Sequence, residues 1–166
     1  PVLKSFWEIE LGEETFDFLM NLFPKTWIVD SREIPPHTVI PDLFIDDIPA
    51  NNWKDLISTT KKQRRFALKP SGFSELAWGS KGVFIGHDLS EDDWTEALNI
   101  ALSSFENTPY ILQEFHKGSH CRVEYYDFYS DSMKQMNGRV RLCPYYFVVD
   151  DQAKLSGILA TICPLN

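Results

Sequence analysis

Apolar side chains recur at three- to four-residue spacing between Glu13 and Phe23, where Phe16, Leu19, Met20 and Phe23 share one stripe that Pro24 ends. That spacing predicts a helix. A short strand, Trp27-Ile28-Val29, comes next, followed by a stretch punctuated by Pro35, Pro36, Pro41 and Pro49. Prolines at this density exclude a long helix and favour extended segments and turns, so the stretch is expected to be a connector packed across the domain. Trp53, Leu56 and Ile57 form a second stripe and predict a helix from Asn52 to Lys62. Arg65 to Lys69 is an expected strand leading into Pro70, and Val83-Phe84-Ile85 is another. Between them lies a Gly/Ser-rich segment from Ser71 to Gly82.

The clearest helix runs from Ser90 to about Phe105. Ser90 is a good N-cap, Asp92 and Asp93 suit the positive end, and Trp94, Leu98, Ala101, Leu102 and Phe105 make a core-facing stripe. After it the pattern is strands only: Tyr110 to Phe115, Arg122 to Tyr129, Arg139 to Val149 and Leu155 to Ile162. Turn signals stand at Lys117-Gly118-Ser119 and at Met136-Asn137-Gly138, the second being sharper because Asn-Gly accepts positive φ. Asp150-Asp151, at a strand end, is a candidate turn pair. Strand, loop, strand, helix and then an antiparallel meander predict an α+β fold in which the Ser90 helix packs on a sheet made from the later strands. The expected division is an N-terminal helix and proline-rich connector over 1–64 and a second region over 65–166.

Composition fits that picture. Apolar residues make up 43% of the 166 and charged residues 24%, a globular mix rather than a disordered one. No apolar run approaches the roughly 20 residues of a spanning helix, and the start lacks the pattern of a signal peptide. Membrane insertion and secretion are not expected, and a cytoplasmic location is. Cys121, Cys143 and Cys163 are odd in number and widely spaced, which suits reduced thiols. The chain starts at Pro1 without a methionine and stops just after an apolar run, so it is expected to be part of a longer protein.

Charge sharpens the functional question. The net charge is −8, yet residues 61–86 carry six cations against Glu75 alone, a local net of +5. A short cationic window in an acidic chain suits a compact anion such as a nucleotide phosphate better than a nucleic-acid track. The competing explanation for Lys61, Lys62, Arg64 and Arg65 is a solvated helix end.

Lys69 at the end of a strand offers a point charge for phosphate oxygens, and the glycines after it let backbone N–H groups approach an anion closely. A later strand bearing Gln113-Glu114-Phe115 offers polar groups for an adenine edge. His116, His120 and Cys121 are soft ligands within six residues, but no second cluster completes a tetrahedral set. Ser71 and Ser74 lack the Gly-x-Ser-x-Gly context of a serine hydrolase. Trp78, beside the loop, suits either a cover over a nucleotide or an anchor to the core.

Through Leu68-Lys69-Pro70-Ser71-Gly72, Trp78-Gly79-Ser80-Lys81-Gly82-Val83, Ile111-Leu112-Gln113-Glu114-Phe115 and Arg139-Val140-Arg141-Leu142, residues 65–163 resemble the ATP-grasp superfamily. The likeness is narrower to its circularly permuted, glutathionylspermidine-synthase-like members. The resemblance implies an ATP-grasp-like subdomain, an antiparallel sheet with packed helices. It implies that Lys69 contacts ATP phosphates, that Ser71, Ser74, Gly79, Ser80, Lys81 and Gly82 form a mobile phosphate loop, and that Gln113, Glu114 and Phe115 line the adenine. Arg141, and less securely Arg139, faces the γ-phosphate or an acyl phosphate. It implies Mg²⁺-ATP as cofactor and a ligase that joins a carboxylate to an amine. The chain departs from that pattern in having no clean acidic-x-Asn element for Mg²⁺, so its metal ligands are left unassigned and the piece is expected to be inactive by itself. The alternative is a non-catalytic ATP-grasp-like or unrelated α+β module that serves binding or assembly, its Gly/Ser loop being only a connector.

Overall fold

The computed structural model describes residues 4–72 and 74–165, and it places three helices and three antiparallel sheets along the chain, an α+β fold. The chain divides into two units, 1–116 and 117–166.

In the first unit, α1 (Lys4–Leu11) and α2 (Glu13–Leu22) meet at Gly12, whose φ of 77° is a conformation that glycine tolerates best. The α2 helix is the one predicted from its stripe, but only Phe16 of that stripe is buried, while Met20 and Phe23 are exposed. No stripe announced α1. Strand β1 (Thr26–Val29) follows, and the proline-rich stretch contains one small hairpin, β2 (Phe44–Ile45) with β3 (Ile48–Pro49), turned by Asp46 and Asp47 at positive φ.

The helix expected from Asn52 to Lys62 is a single 3-10 turn, Trp53–Leu56. Asn52 and Asp55 cap each other's backbone at its start. Its end is set by hydroxyls: Ser58 donates to the Asp55 carbonyl at 3.2 Å and Thr59 to the Leu56 carbonyl at 2.5 Å. Side chains that bond nearby backbone in this way compete with helix continuation.

Strands β4 (Phe66–Pro70), β5 (Phe84–Ile85) and β6 (Tyr110–Glu114) complete a four-stranded sheet in the order β1-β6-β4-β5. Helix α3 (Glu91–Ser103) is capped as predicted, Ser90 accepting from the Asp93 amide at 3.1 Å. It packs on β4 and buries Trp94, Ala97, Leu98 and Ala101, while Leu102 and Phe105 are half-buried. Val29, Leu56, Leu68, Tyr110 and Leu112 lie in the same core as Trp94 and Leu98. The sheet under this helix is thus built mainly from strands that precede it, which corrects the expectation of a sheet made from the later strands. The long-range pairing of β1 with β6 recruits residues 26–29 to it.

The second unit is one meander: β7 (His120–Asp127), β8 (Ser132–Val149) and β9 (Gln152–Pro164). Asn137-Gly138 is not a turn. It lies inside β8, paired with Arg122 and Cys121, and the chain reverses instead between Asp127 and Ser132. Gly138 serves close approach: a Cβ there meets the Cys163 carbonyl oxygen at 2.6 Å and Ile162 Cγ2 at 2.8 Å. The Asp150-Asp151 pair does form a turn, with φ of 53° and 58°, between Val149 and Gln152.

Candidate nucleotide site

In the antiparallel pair of β4 and β6, Lys69 stands opposite Ile111 and Ala67 opposite Gln113. Alternation then places Lys69, Ala67, Ile111 and Gln113 on one face, while Phe66, Leu68, Tyr110 and Leu112 point into the core beneath α3. β1 adds Thr26 and Ile28 to the same outer face, and β5 adds Ile85. The Lys69 ammonium donates to Gln113 Oε1 at 2.6 Å, Gln113 Nε2 donates to Thr26 Oγ1 at 2.9 Å, and Thr26 Oγ1 donates to the Pro24 carbonyl at 3.0 Å. A single polar line therefore crosses three strands on a face otherwise formed by Ala67 and isoleucines. Among the described residues no carboxylate forms an ion pair with Lys69. Its charge faces outward with one neutral partner, a state that favours an added anion.

The segment after Lys69 is more ordered locally than a bare glycine loop. Ser71 N–H donates to the Pro109 carbonyl at 2.8 Å, and Ser74 N–H to that of Ser71 at 2.9 Å. Ser74 caps a 3-10 helix, Glu75–Ser80, by accepting from the Leu76 amide. Gly79 has a φ of 66°, and a Cβ on Gly82 meets Pro70 Cγ at 3.0 Å, so each of these glycines has a conformational or packing requirement of its own. Lys81 is exposed. The side chains of Ser80 and Trp78 lie outside the described residues.

The amides of the expected hinge are engaged inside the unit. Glu114 N–H donates to the Lys25 carbonyl and Phe115 N–H to that of Arg65, both at 2.9 Å. These two amides are therefore not free to meet a ligand. The Glu114 carboxylate lies 3.7 Å from His116 Nε2, and the Phe115 ring is 5.0 Å from that of His87.

Arg139 and Arg141 belong to the second unit, on β8, and point to the same face of their own sheet as His120 and Arg122 of β7. Arg139 Nη2 lies 3.3 Å from His120 Nε2, and Arg122 bonds Gln135, which also reaches Glu124. Among the described residues none of these three arginines pairs with a carboxylate within 4.0 Å.

Clefts among the described residues of the first unit include two that matter here. One, of about 950 Å³, is mostly apolar and includes Trp27, Ile34, Ile40 and Trp53, with Asp30 and Arg32 at its rim. The Arg32 guanidinium holds the Asp30 carboxyl below its ordinary range. The other, of about 420 Å³, is lined by hydroxyl-bearing and charged residues that include Arg64. Neither is lined by Lys69, by residues 71–82 or by residues 113–115.

Thr26 is a partner that sequence reasoning missed. It stands 87 residues from Gln113, and nothing in its local pattern marks it. Among the described residues no group of three or more His, Cys, Asp or Glu side chains comes together to hold a metal. The described residues thus present no ready-made Mg²⁺ site. Also among them, no helix is long and apolar enough to cross a membrane. Comparison of the chain with family profiles, with curated proteins and with solved structures finds no match.

Proposed function

We propose that this chain is the ATP-binding part of an ATP-grasp-like ligase that joins a carboxylate to an amine, working in the cytoplasm as part of a longer protein. The observation that carries the proposal is the meeting of Lys69 and Gln113 on one outward sheet face. A lysine charge without a carboxylate, adjoining a polar side chain on the neighbouring strand, is what a nucleotide's phosphates and base edge ask of a protein. The activity implied is transfer of the γ-phosphoryl group to a carboxylate oxygen with departure of ADP. Attack of an amine at the acyl carbon then expels phosphate and releases a proton. This chain's share is positioning and charge neutralisation: Lys69 toward phosphate, with Arg139 and Arg141 as the candidate cations of the second unit. The Mg²⁺ that the resemblance implies has no cluster of ligands among the described residues.

The test is thermal unfolding with ATP, with and without Mg²⁺. A nucleotide at 100 times its dissociation constant stabilises by about 2.7 kcal/mol. Stabilisation that vanishes in Lys69→Ala supports the site. No stabilisation by millimolar ATP in the parent chain sinks it.

The second reading is a non-catalytic binding or assembly module. Two observations favour it: Lys69 lines neither of the two clefts, and the amides of Glu114 and Phe115 are already engaged. On this reading ATP has no effect with or without Mg²⁺.

A further inference from the structure

Arg64 is only 3% exposed, yet among the described residues no carboxylate pairs with it. Its Nε donates to the Thr59 carbonyl at 2.8 Å, and its Nη1 to the carbonyls of Ser90 at 3.1 Å and Leu89 at 3.4 Å. These bonds tie the turn before β4 to the start of α3. They supply dipoles rather than a counter-charge, and burying a guanidinium away from a counter-ion is costly. Among the described residues Nη2 makes no hydrogen bond. No buried side-chain nitrogen or oxygen is left without a partner among the described residues. Arg64 lines a cleft of about 420 Å³ together with residues 58–61, Ser90 and Glu91.

Two further donors border that cleft. Lys61 is exposed, and its backbone N–H has no partner among the described residues, because the turn that follows it uses the amides of Gln63 and Arg64. Glu91 opens the thirteen-residue α3, where the first amides have no carbonyl of their own to meet and the helix end is positive. Against these stands the Glu91 carboxylate, so the cleft carries two cations and one anion. The hydroxyls of Ser58, Thr59 and Thr60 already donate within the chain. Every free donor at the site is thus cationic or an amide.

We propose that this cleft is an anion site for the phosphoryl group of a small phosphorylated molecule, with Arg64 Nη2 and the Lys61 ammonium as its charged contacts. A phosphoryl group supplies the counter-charge that Arg64 lacks and accepts from several donors at once. The volume lies within the range of small-molecule pockets and exceeds what a bare phosphate fills. The site is independent of the Lys69 face.

The experiment is an amide-resonance titration of the chain with inorganic phosphate and, separately, with ribose 5-phosphate, each at matched ionic strength. Saturating shifts are expected at Lys61 and Glu91. Lys61→Ala should weaken binding about two- to fivefold and Glu91→Gln should strengthen it by a similar factor, the scale of one exposed charge interaction. Both residues are exposed, so neither change depends on refolding of the core. Arg64→Lys should weaken it further, provided that its amide spectrum stays folded. Tighter binding of ribose 5-phosphate identifies an ester as the ligand, and equal binding identifies free phosphate; either supports the site. Absence of saturating shifts at Lys61 and Glu91 overturns the proposal. So does an unchanged dissociation constant in both single variants, or loss of phosphate binding in Lys69→Ala.

Discussion

The ammonium of Lys69 and the side-chain carbonyl of Gln113 meet at 2.6 Å, although the residues are 44 positions apart and sit on different strands. In an antiparallel pair that contact requires both to fall on the same alternation of the pleat, which the register Ala67 opposite Gln113 ensures. Lys69→Ala removes one charge and one hydrogen bond at a half-buried position, so the unfolding free energy should change by about 1 kcal/mol or less. Any stabilisation by ATP should disappear. Nucleotide-dependent melting of the two proteins side by side checks both statements. A large loss of stability with the nucleotide effect retained would make Lys69 structural.

Trp94 is fully buried, and its indole N–H donates to the Leu56 carbonyl at 2.8 Å, tying α3 to the 3-10 turn. Trp94→Phe should cost about 0.5–1.5 kcal/mol by removing one hydrogen bond from a carbonyl that keeps the Thr59 hydroxyl, and Trp94→Ala about 3–5 kcal/mol through the cavity as well. All five tryptophans precede residue 117, so tryptophan fluorescence in urea reports the first unit. Equal midpoints for Trp94→Ala and the parent chain would contradict the packing.

Features written locally were legible in the sequence. Ser90 and the acids after it mark the start of α3, and the α+β class follows from the order of patterns. Asp150-Asp151 forms a turn because aspartate tolerates positive φ at a strand end. Asn137-Gly138 misled for a physical reason: a glycine that permits positive φ is written the same way as one that admits a neighbouring backbone. Only the third strand, bringing Cys163 against Gly138, distinguishes them. The apolar stripe after Asn52 predicts a longer helix than the chain forms, because the Ser58 and Thr59 hydroxyls bond back onto the turn. Of the candidate site, Lys69 and Gln113 were named from their surroundings in the chain. Thr26 and the burial of Arg64 depend on long-range pairing and packing that no local pattern encodes.

Asp127 holds the β7–β8 turn together. Its carboxylate accepts from the Lys134 ammonium, from the Ser130 hydroxyl at 2.7 Å and from the Tyr129 amide at 3.2 Å. The Lys134 contact, then the Ser130 bond, lowers its pKa below the usual 3.8. A group whose folded pKa is depressed stabilises fully above its unfolded value and loses that contribution as pH falls through the folded value. The turn should therefore be intact at neutral pH and loosen only below about pH 3.8. The Tyr129 amide resonance should follow that titration, and Asp127→Asn should abolish it. An acid transition at Tyr129 that persists in Asp127→Asn would assign it to another group.

Gly138 admits a neighbouring backbone while Asp150-Asp151 makes the turn, and substitution should expose the difference. At Gly138 a methyl group meets a backbone oxygen at 2.6 Å, too close for a flexible side chain to yield, so β8 and β9 must separate locally. Gly138→Ala is expected to cost about 1–3 kcal/mol, the scale of overpacking, and to speed hydrogen exchange in the adjoining amides. At the turn, both aspartates hold positive φ, the geometry for which Asn-Gly is the preferred pair. The double change Asp150→Asn with Asp151→Gly should relieve backbone strain and remove two adjacent like charges. It is expected to slow exchange at the same hairpin, with a gain of about 0.5–1 kcal/mol. Hydrogen exchange across β8 and β9, read residue by residue, compares the two variants directly. Slower exchange in Gly138→Ala, or faster exchange in the turn variant, would mean that the register of Arg139 opposite Cys163 is wrong.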